Sequence, residues 1–144
     1  MHQQEVKSTV EKILENHSVG TMATVKNNKP HTRFMTFFHD DLKLYTVTSR
    51  DTDKTEEIEA NPYTHILIGY GGEGYGDAYI DYHGKVSIND SQEIKTQLWN
   101  EKMEPWFDSL EDPNYIVLEI EPEIVRLITN HIGDDPKEVD LKKF

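Results

Sequence analysis

Cysteine is absent from the 144 residues. That absence excludes disulfides, thiolate metal sites and cysteine nucleophiles together, and it fits a cytoplasmic chain. Long apolar runs are missing too. Nothing approaches the roughly 20 residues needed to cross a bilayer. The N-terminal stretch MHQQEVKSTVEKIL also lacks the apolar centre of a secretory signal. Positive charge is scarce: 15 Lys and Arg face 27 Asp and Glu, for a formal net charge of −12. Such a surface repels phosphate backbones and anionic lipid heads, so neither nucleic acid nor a membrane is an expected partner. Arginine is scarcest of all, with Arg33, Arg50 and Arg126 making up the whole set. An anionic ligand is expected only where these few cations gather.

Familiar catalytic signatures are also missing. There is no His-Glu-x-x-His helix and no Gly-x-Ser-x-Gly elbow. Gly69-x-Gly71-x-x-Gly74 matches a dinucleotide fingerprint in letters, but Tyr79-Ile80-Asp81-Tyr82 after it is strand-like. The glycines therefore read as a hairpin loop rather than a pyrophosphate cradle. The seven histidines are scattered. His39-Asp40-Asp41 is better explained by a turn than by a cation. His31, His65 and His83 can meet across strands, with a structural role as the default.

What remains reads as one domain over residues 1–144. At 35% hydrophobic and 29% charged the chain is polar, yet its apolar residues are patterned. Val6, Val10, Ile13 and Leu14 make one stripe of a helix over residues 4–16. Val19–Val25, His31–Phe38 and Leu42–Thr48 are β-prone and separated by tight turns at Asn27-Asn28 and Asp40-Asp41. A short helix from Asp53 to Ala60 ends at Asn61-Pro62. Strands follow at Tyr63–Tyr70 and Tyr79–Ile88, with a bulge expected at Gly84. Asp90–Glu101 reads as a helix capped by Asp90 and Glu93, and Glu104–Leu110 as a further helical turn. Tyr115–Glu121 and Glu123–Thr129 read as two strands separated at Pro122. The acidic tail from about residue 131 reads as loosely held. Strands come in runs and helices singly, so the expected fold is mainly β with flanking helices, an antiparallel barrel of about seven strands.

One segment has the ingredients of a phosphate site. Lys54 stands in the first turn of a helix, preceded by Thr48, Ser49 and Thr52, and Arg33 lies on a nearby strand. Hydroxyls, a cation and free N–H groups at a helix start suit a bound phosphate. An ordinary cap at Thr52 or Asp53 with solvated cations is the competing reading. Trp99 and Trp106, seven residues apart, would share one helix face if the helix ran that far, either as packing or as a wall for a flat aromatic ligand.

Taken in order, these segments resemble a known family. They are Gly20-Thr21-Met22-Ala23-Thr24-Val25, Lys29-Pro30-His31-Thr32-Arg33-Phe34-Met35, Leu44-Tyr45-Thr46-Val47-Thr48-Ser49 and Lys54-x-x-x-Ile58-x-x-Asn61-Pro62. Together they resemble the FMN-binding split β-barrel of the pyridoxamine 5′-phosphate oxidase superfamily. Asn100-x-x-x-x-Pro105-Trp106-Phe107 and Asp112-Pro113-Asn114-Tyr115 make the chain similar to the general stress protein 26 branch. The resemblance spans about residues 5–128. It implies a homodimer with two flavins in clefts between subunits, FMN first and FAD as the alternative. By position, Arg33 and Lys54 would hold the flavin phosphate beside the hydroxyls of Thr48, Ser49 and Thr52. Phe34, Met35 and Thr36 would run along the isoalloxazine edge, with Tyr45 and Thr46 on the neighbouring strand. Trp106 would approach from the partner subunit.

The chain departs from the oxidases in two places. Thr52-Asp53-Lys54 stands where they carry serine-arginine-lysine, and the C-terminus lacks their arginine-bearing segment. The resemblance therefore implies a flavin protein more than pyridoxamine phosphate oxidation. A flavin oxidoreductase and a flavin-binding carrier without turnover both stay open, as does a dimer with no ligand.

Overall fold

The computed structural model describes residues 2–51, 53–72, 77–129 and 135–143, excluding the side chains of Asp53 and Lys54. Helix α1 (Gln3–Asn16) leads into strands β1 (Val19–Lys26), β2 (Lys29–Asp40) and β3 (Lys43–Ser49). Helix α2 (Asp53–Ala60) follows, then β4 (Tyr63–Ile68), β5 (Ala78–Asn89) and α3 (Gln92–Leu98). The long β6 (Tyr115–Thr129) and the two-residue β7 (Lys137–Glu138) complete the sheet. The strand order is β3-β2-β1-β4-β5-β6-β7, and β3 also pairs with β6. That last pairing closes six antiparallel strands into a barrel, with β7 added outside on β6.

Local chemistry sets the corners. Asn27 and Asn28 adopt φ of 52° and 61°, and Asp41 adopts 55°. Two consecutive left-handed residues make the primed turn whose twist matches a hairpin, and asparagine tolerates that region. Period-two burial then fills the barrel. Met22, Leu44, Ile66, Ile80, Tyr82, Leu118 and Ile120 are each under 2% exposed. Helix α1 covers the barrel with Val6, Val10 and Leu14, as its stripe predicted. Ile13 lies partly buried beside them. Gly69, at φ +104°, ends β4, and a Cβ there would meet Ile13 Cγ2 at 2.4 Å.

Four expectations need correction. Pro122 does not separate a pair of strands: β6 runs through it. The register shifts so that His83 faces Ile124 while Gly84 faces Pro122. The bulge therefore falls at Gly84, as expected, with its extra residue, Glu123, on the β6 side. A ladder interrupted there tolerates a proline that has no N–H to give. Helix α3 starts two residues later than expected and is capped by Ser91, whose Oγ accepts from Ile94 N at 3.3 Å. No helix forms over residues 104–110. Aromatic packing holds that segment instead, with Phe107 stacked on Tyr115 at 5.3 Å. Finally, the described portion of the tail is docked. Val139 is 2% exposed in the core, and its N–H donates to Val125 O at 2.8 Å. Residues 130–134 lie outside the described set.

No helix among the described residues is long and apolar enough to cross a membrane.

Candidate functional site

Strand β2 is longer than its partner requires. It pairs with β3 only from Phe37 to Asp40, opposite Lys43–Thr46, and the rest of β2 pairs with β1 alone. Beyond Thr36 the two strands diverge, and a cleft of about 530 Å³ opens between them. Peptide groups in a strand alternate in direction, so a stretch paired on one side sends half of them into the gap. Thr46 anchors the fork: its Oγ1 donates to Thr36 O at 2.7 Å.

The cleft is lined by Phe34, Met35 and Thr36 of β2 and by Val47, Thr48 and Ser49 of β3. Asn100, Lys102, Met103, Trp106 and Phe107 close its far side. A second, smaller core holds that wall in place. Tyr115 lies between Trp99 and Phe107, with centroids 5.5 and 5.3 Å away. Its hydroxyl donates to Lys95 O at 2.8 Å, and burial pushes its pKa up to about 12. Tyr45, Ile94 and Leu98 are buried in the same cluster. Trp106, by contrast, is 78% exposed at the cleft mouth, and Phe34 is 76% exposed. The two tryptophans therefore do not share a helix face. Helix α3 ends at Leu98, so Trp99 packs inward while Trp106 stands out.

Six of the residues read from the sequence meet here: Phe34, Met35, Thr36, Thr48, Ser49 and Trp106. Tyr45 and Thr46 lie behind the cleft, buried at 8% and 0% exposure. Thr52 and the side chain of Lys54 lie outside the described residues. Arg33 turns toward α2. Its Nη1 donates to Thr24 Oγ1 at 2.6 Å and its Nη2 meets Glu57 Oε2 at 3.2 Å. The Thr24 hydroxyl also donates to Glu57 Oε2. Burial pushes the Glu57 carboxyl up, but the Thr24 hydroxyl and the Arg33 guanidinium outweigh it and hold the group below the usual range. Arg50 turns elsewhere again, its Nε donating to Pro113 O at 3.1 Å. The described cations of the segment are therefore dispersed over separate partners.

Sequence reasoning named Trp106 as a wall for a flat ring but not most of the residues that line the cleft with it. Phe38, Val47, Asn100, Lys102, Met103 and Phe107 were not read as site residues, although Asn100 and Phe107 stand in the motif Asn100-x-x-x-x-Pro105-Trp106-Phe107. It also missed Glu57. A buried acid on a helix otherwise rich in exposed acids gives no signal until α2 is set against β1.

The described glycine loop agrees with its sequence reading. Gly69, Gly71 and Gly72 follow β4, and β5 begins at Ala78, with residues 73–76 outside the described set.

Comparison with known proteins places this geometry in a wider set. The pattern of the family described as "Pyridoxamine 5′-phosphate oxidase" matches residues 6–129. General stress protein 26 of Bacillus subtilis is 55% identical over 128 residues, covering 89% of this chain and 91% of that one. The crystal structure of general stress protein 26 from Bacillus anthracis superposes with a TM-score of 0.79 at 36% identity, covering 85% of this chain and 92% of that one. A Clostridium acetobutylicum protein related to general stress protein 26 gives 0.81 at 17% identity over 99% of both chains, a likeness of fold.

Proposed function

The chain belongs to the pyridoxamine 5′-phosphate oxidase family, and from that premise we propose that it binds a flavin, FMN, in the cleft between β2 and β3 and serves as a flavin oxidoreductase. The observation that carries this reading is the fork itself. About 530 Å³ lies between an edge of β2 paired on one side and a wall bearing Trp106. The volume is in the range of roughly 300–1,000 Å³ for small-molecule sites. A flat, apolar ring with a polar rim suits those surroundings. Phe34, Met35 and Trp106 offer apolar faces. The edge of β2 would offer peptide groups to ring nitrogens and carbonyls, and Thr48 and Ser49 would stand beside a ribityl chain.

The phosphate end is assigned to Arg33 and Lys54. Lys54 is the second residue of α2, where the helix start favours an anion. Arg33 brings a planar fork suited to phosphate oxygens. FAD is the alternative, with its adenylate extending out of the cleft.

A bound flavin supplies the redox chemistry, and the protein supplies binding, orientation and exclusion of water. Among the described residues the cleft lining contains no His, Asp or Glu, and Lys102 is its only titratable side chain. That scarcity of acids and bases favours electron transfer on the flavin itself over side-chain acid-base chemistry. It equally suits the second reading, a flavin carrier without turnover.

A second copy of the chain is the proposed partner. Val19, Phe34, Leu67, Tyr70 and Trp106 are 40–78% exposed, an apolar load that a dimer interface would cover. Sedimentation at micromolar concentration is expected to give about twice the 16.8 kDa chain mass.

The test is titration of apo-protein with FMN followed by flavin fluorescence. Saturable quenching is expected, weakened in Arg33→Ala, Lys54→Ala and Trp106→Ala. No saturable change at tens of micromolar overturns the reading. Reduction of the bound flavin by NADH or NADPH, followed by turnover with an acceptor, separates oxidoreductase from carrier.

A further inference from the structure

A second group of side chains converges away from the cleft, on the outer face of the barrel. In the β4–β5 ladder His65 lies directly opposite His83, and Leu67 lies opposite Asp81. Ile66, Ile68, Ile80 and Tyr82 point inward and are buried. The period of two therefore sends His65, Asp81 and His83 outward together. The imidazoles stack at 4.4 Å with their planes 15° apart. Both direct Nε2 at the same carboxylate oxygen. His65 Nε2 hydrogen-bonds Asp81 Oδ1, and His83 Nε2 lies 3.4 Å from it. One ligand atom from each residue lies within 4.8 Å of the other two.

We propose that His65, Asp81 and His83 form a binding site for a divalent transition metal ion, zinc in the first instance. Two imidazole nitrogens and one carboxylate oxygen are a donor set that zinc accepts, with the fourth position left for water or an exogenous ligand. Calcium and magnesium prefer oxygen donors throughout and are disfavoured. The charge count agrees. The Asp81 carboxylate supplies a negative charge that a dication offsets. Arg126 opposes the ion from β6, with Nη1 3.9 Å from Asp81 Oδ2. Its charge is shared with Glu138, whose Oε1 accepts from Arg126 Nε at 3.3 Å. Paired strands also hold the donors more rigidly than a loop would, which lowers the ordering needed on binding.

This site is independent of the flavin reading, since none of its residues lines the cleft. The test is calorimetric titration of the full chain, stripped with EDTA and dialysed, with zinc chloride at pH 7.5. One ion per chain at micromolar affinity or tighter is expected. Cobalt(II) in place of zinc should give visible bands of a low-symmetry site containing nitrogen. His65→Gln, His83→Gln and Asp81→Asn should each weaken zinc by at least about tenfold, the scale on which even outer-shell losses act. His17→Gln should leave binding unchanged. The two ring positions are 39–44% exposed, so these substitutions are not expected to disturb folding, and far-UV circular dichroism checks it. Absence of stoichiometric zinc binding in the wild type overturns the proposal. So does wild-type affinity retained in a folded His65→Gln/His83→Gln double variant.

Discussion

Arg33 on β2 and Glu57 on α2 meet at 3.2 Å, with the Glu57 side chain only 5% exposed, and Thr24 of β1 bonds to both. The three residues fasten α2 across two strands of the barrel. A buried carboxylate with its own guanidinium is costly to break from one side, because the partner charge is left behind. Glu57→Gln keeps the shape and removes the charge. It should cost about 1.5–3 kcal/mol at neutral pH, the range for hydrogen bonds to charged groups. The pH dependence follows from the lowered carboxyl. Its contribution is present above the unfolded value of about 4.3 and is lost as pH falls through the folded value. Urea unfolding of wild type and Glu57→Gln should differ most near neutrality and converge as the pH falls below the unfolded carboxyl value of about 4.3. A gap that stays constant as the pH is lowered through that range would show that the charge is not what stabilises the junction.

Gly84 tests the other tight contact. A Cβ at this position would lie 2.5 Å from Ile120 Cγ2 and 2.8 Å from Glu121 O. The first neighbour is a buried core side chain and the second is backbone, so neither gives way easily. Gly84→Ala should destabilise by about 1–3 kcal/mol, the cost of overpacking a filled core. An unchanged urea midpoint would mean that the bulge at Pro122 absorbs the methyl group.

The fold was legible because its signals are local. The α1 stripe, the asparagine turn, the alternation in β3 and the stop at Asn61-Pro62 each follow from a short window. The misreadings were decided elsewhere. Pro122 looked like a strand break because its tolerance depends on a register shift against β5. Residues 104–110 looked helical because the packing of Phe107 on Tyr115 is invisible in a periodicity count. The site divided along the same line. Five strand residues of the cleft, Phe34, Met35, Thr36, Thr48 and Ser49, were named from their order in the chain, while Phe38 and Val47 beside them were not. The direction Arg33 takes was not found either, since Glu57 lies 24 residues away on another element.

The tail offers a clean check on such long-range packing. Val139 was expected to be loose, yet it is 2% exposed and packs in the main core. Gln3 fixes the same segment, its Nε2 donating to Glu138 O at 2.9 Å and its Oε1 accepting from Asp140 N at 2.7 Å. Val139→Ala should therefore destabilise by about 1–3 kcal/mol, as buried methyl deletions do. Gln3→Ala, at an exposed pair of bonds, should cost less. Thermal melts of the two variants against wild type decide it, and a silent Val139→Ala would return the tail to the loose reading.

The Arg33–Glu57 pair also bears on the ligand. If Arg33 holds the flavin phosphate, a dianion must approach a guanidinium already neutralised by a carboxylate. The background field is unhelpful as well, at a net charge of −12. Removing the Glu57 charge leaves Arg33 with its full positive charge, while the amide oxygen of glutamine can still orient it. Two unit charges about 6 Å apart at an effective dielectric near 20 interact by roughly 2–3 kcal/mol, and mobile solvent reduces that. Glu57→Gln should therefore tighten FMN about tenfold at low salt, although it lowers stability. The gain should shrink at high ionic strength, to the extent that the site is open to solvent. Riboflavin isolates the effect, because it carries the ring and ribityl chain without the phosphate. Its affinity should be the same for wild type and variant. The measurement is a set of dissociation constants for FMN and riboflavin, each with wild type, Glu57→Gln and Arg33→Ala, at two salt concentrations. Equal tightening of both ligands would point to a change in the cleft rather than in charge. Unchanged FMN binding in both variants would remove Arg33 from the phosphate and leave it as a structural tie between β2 and α2.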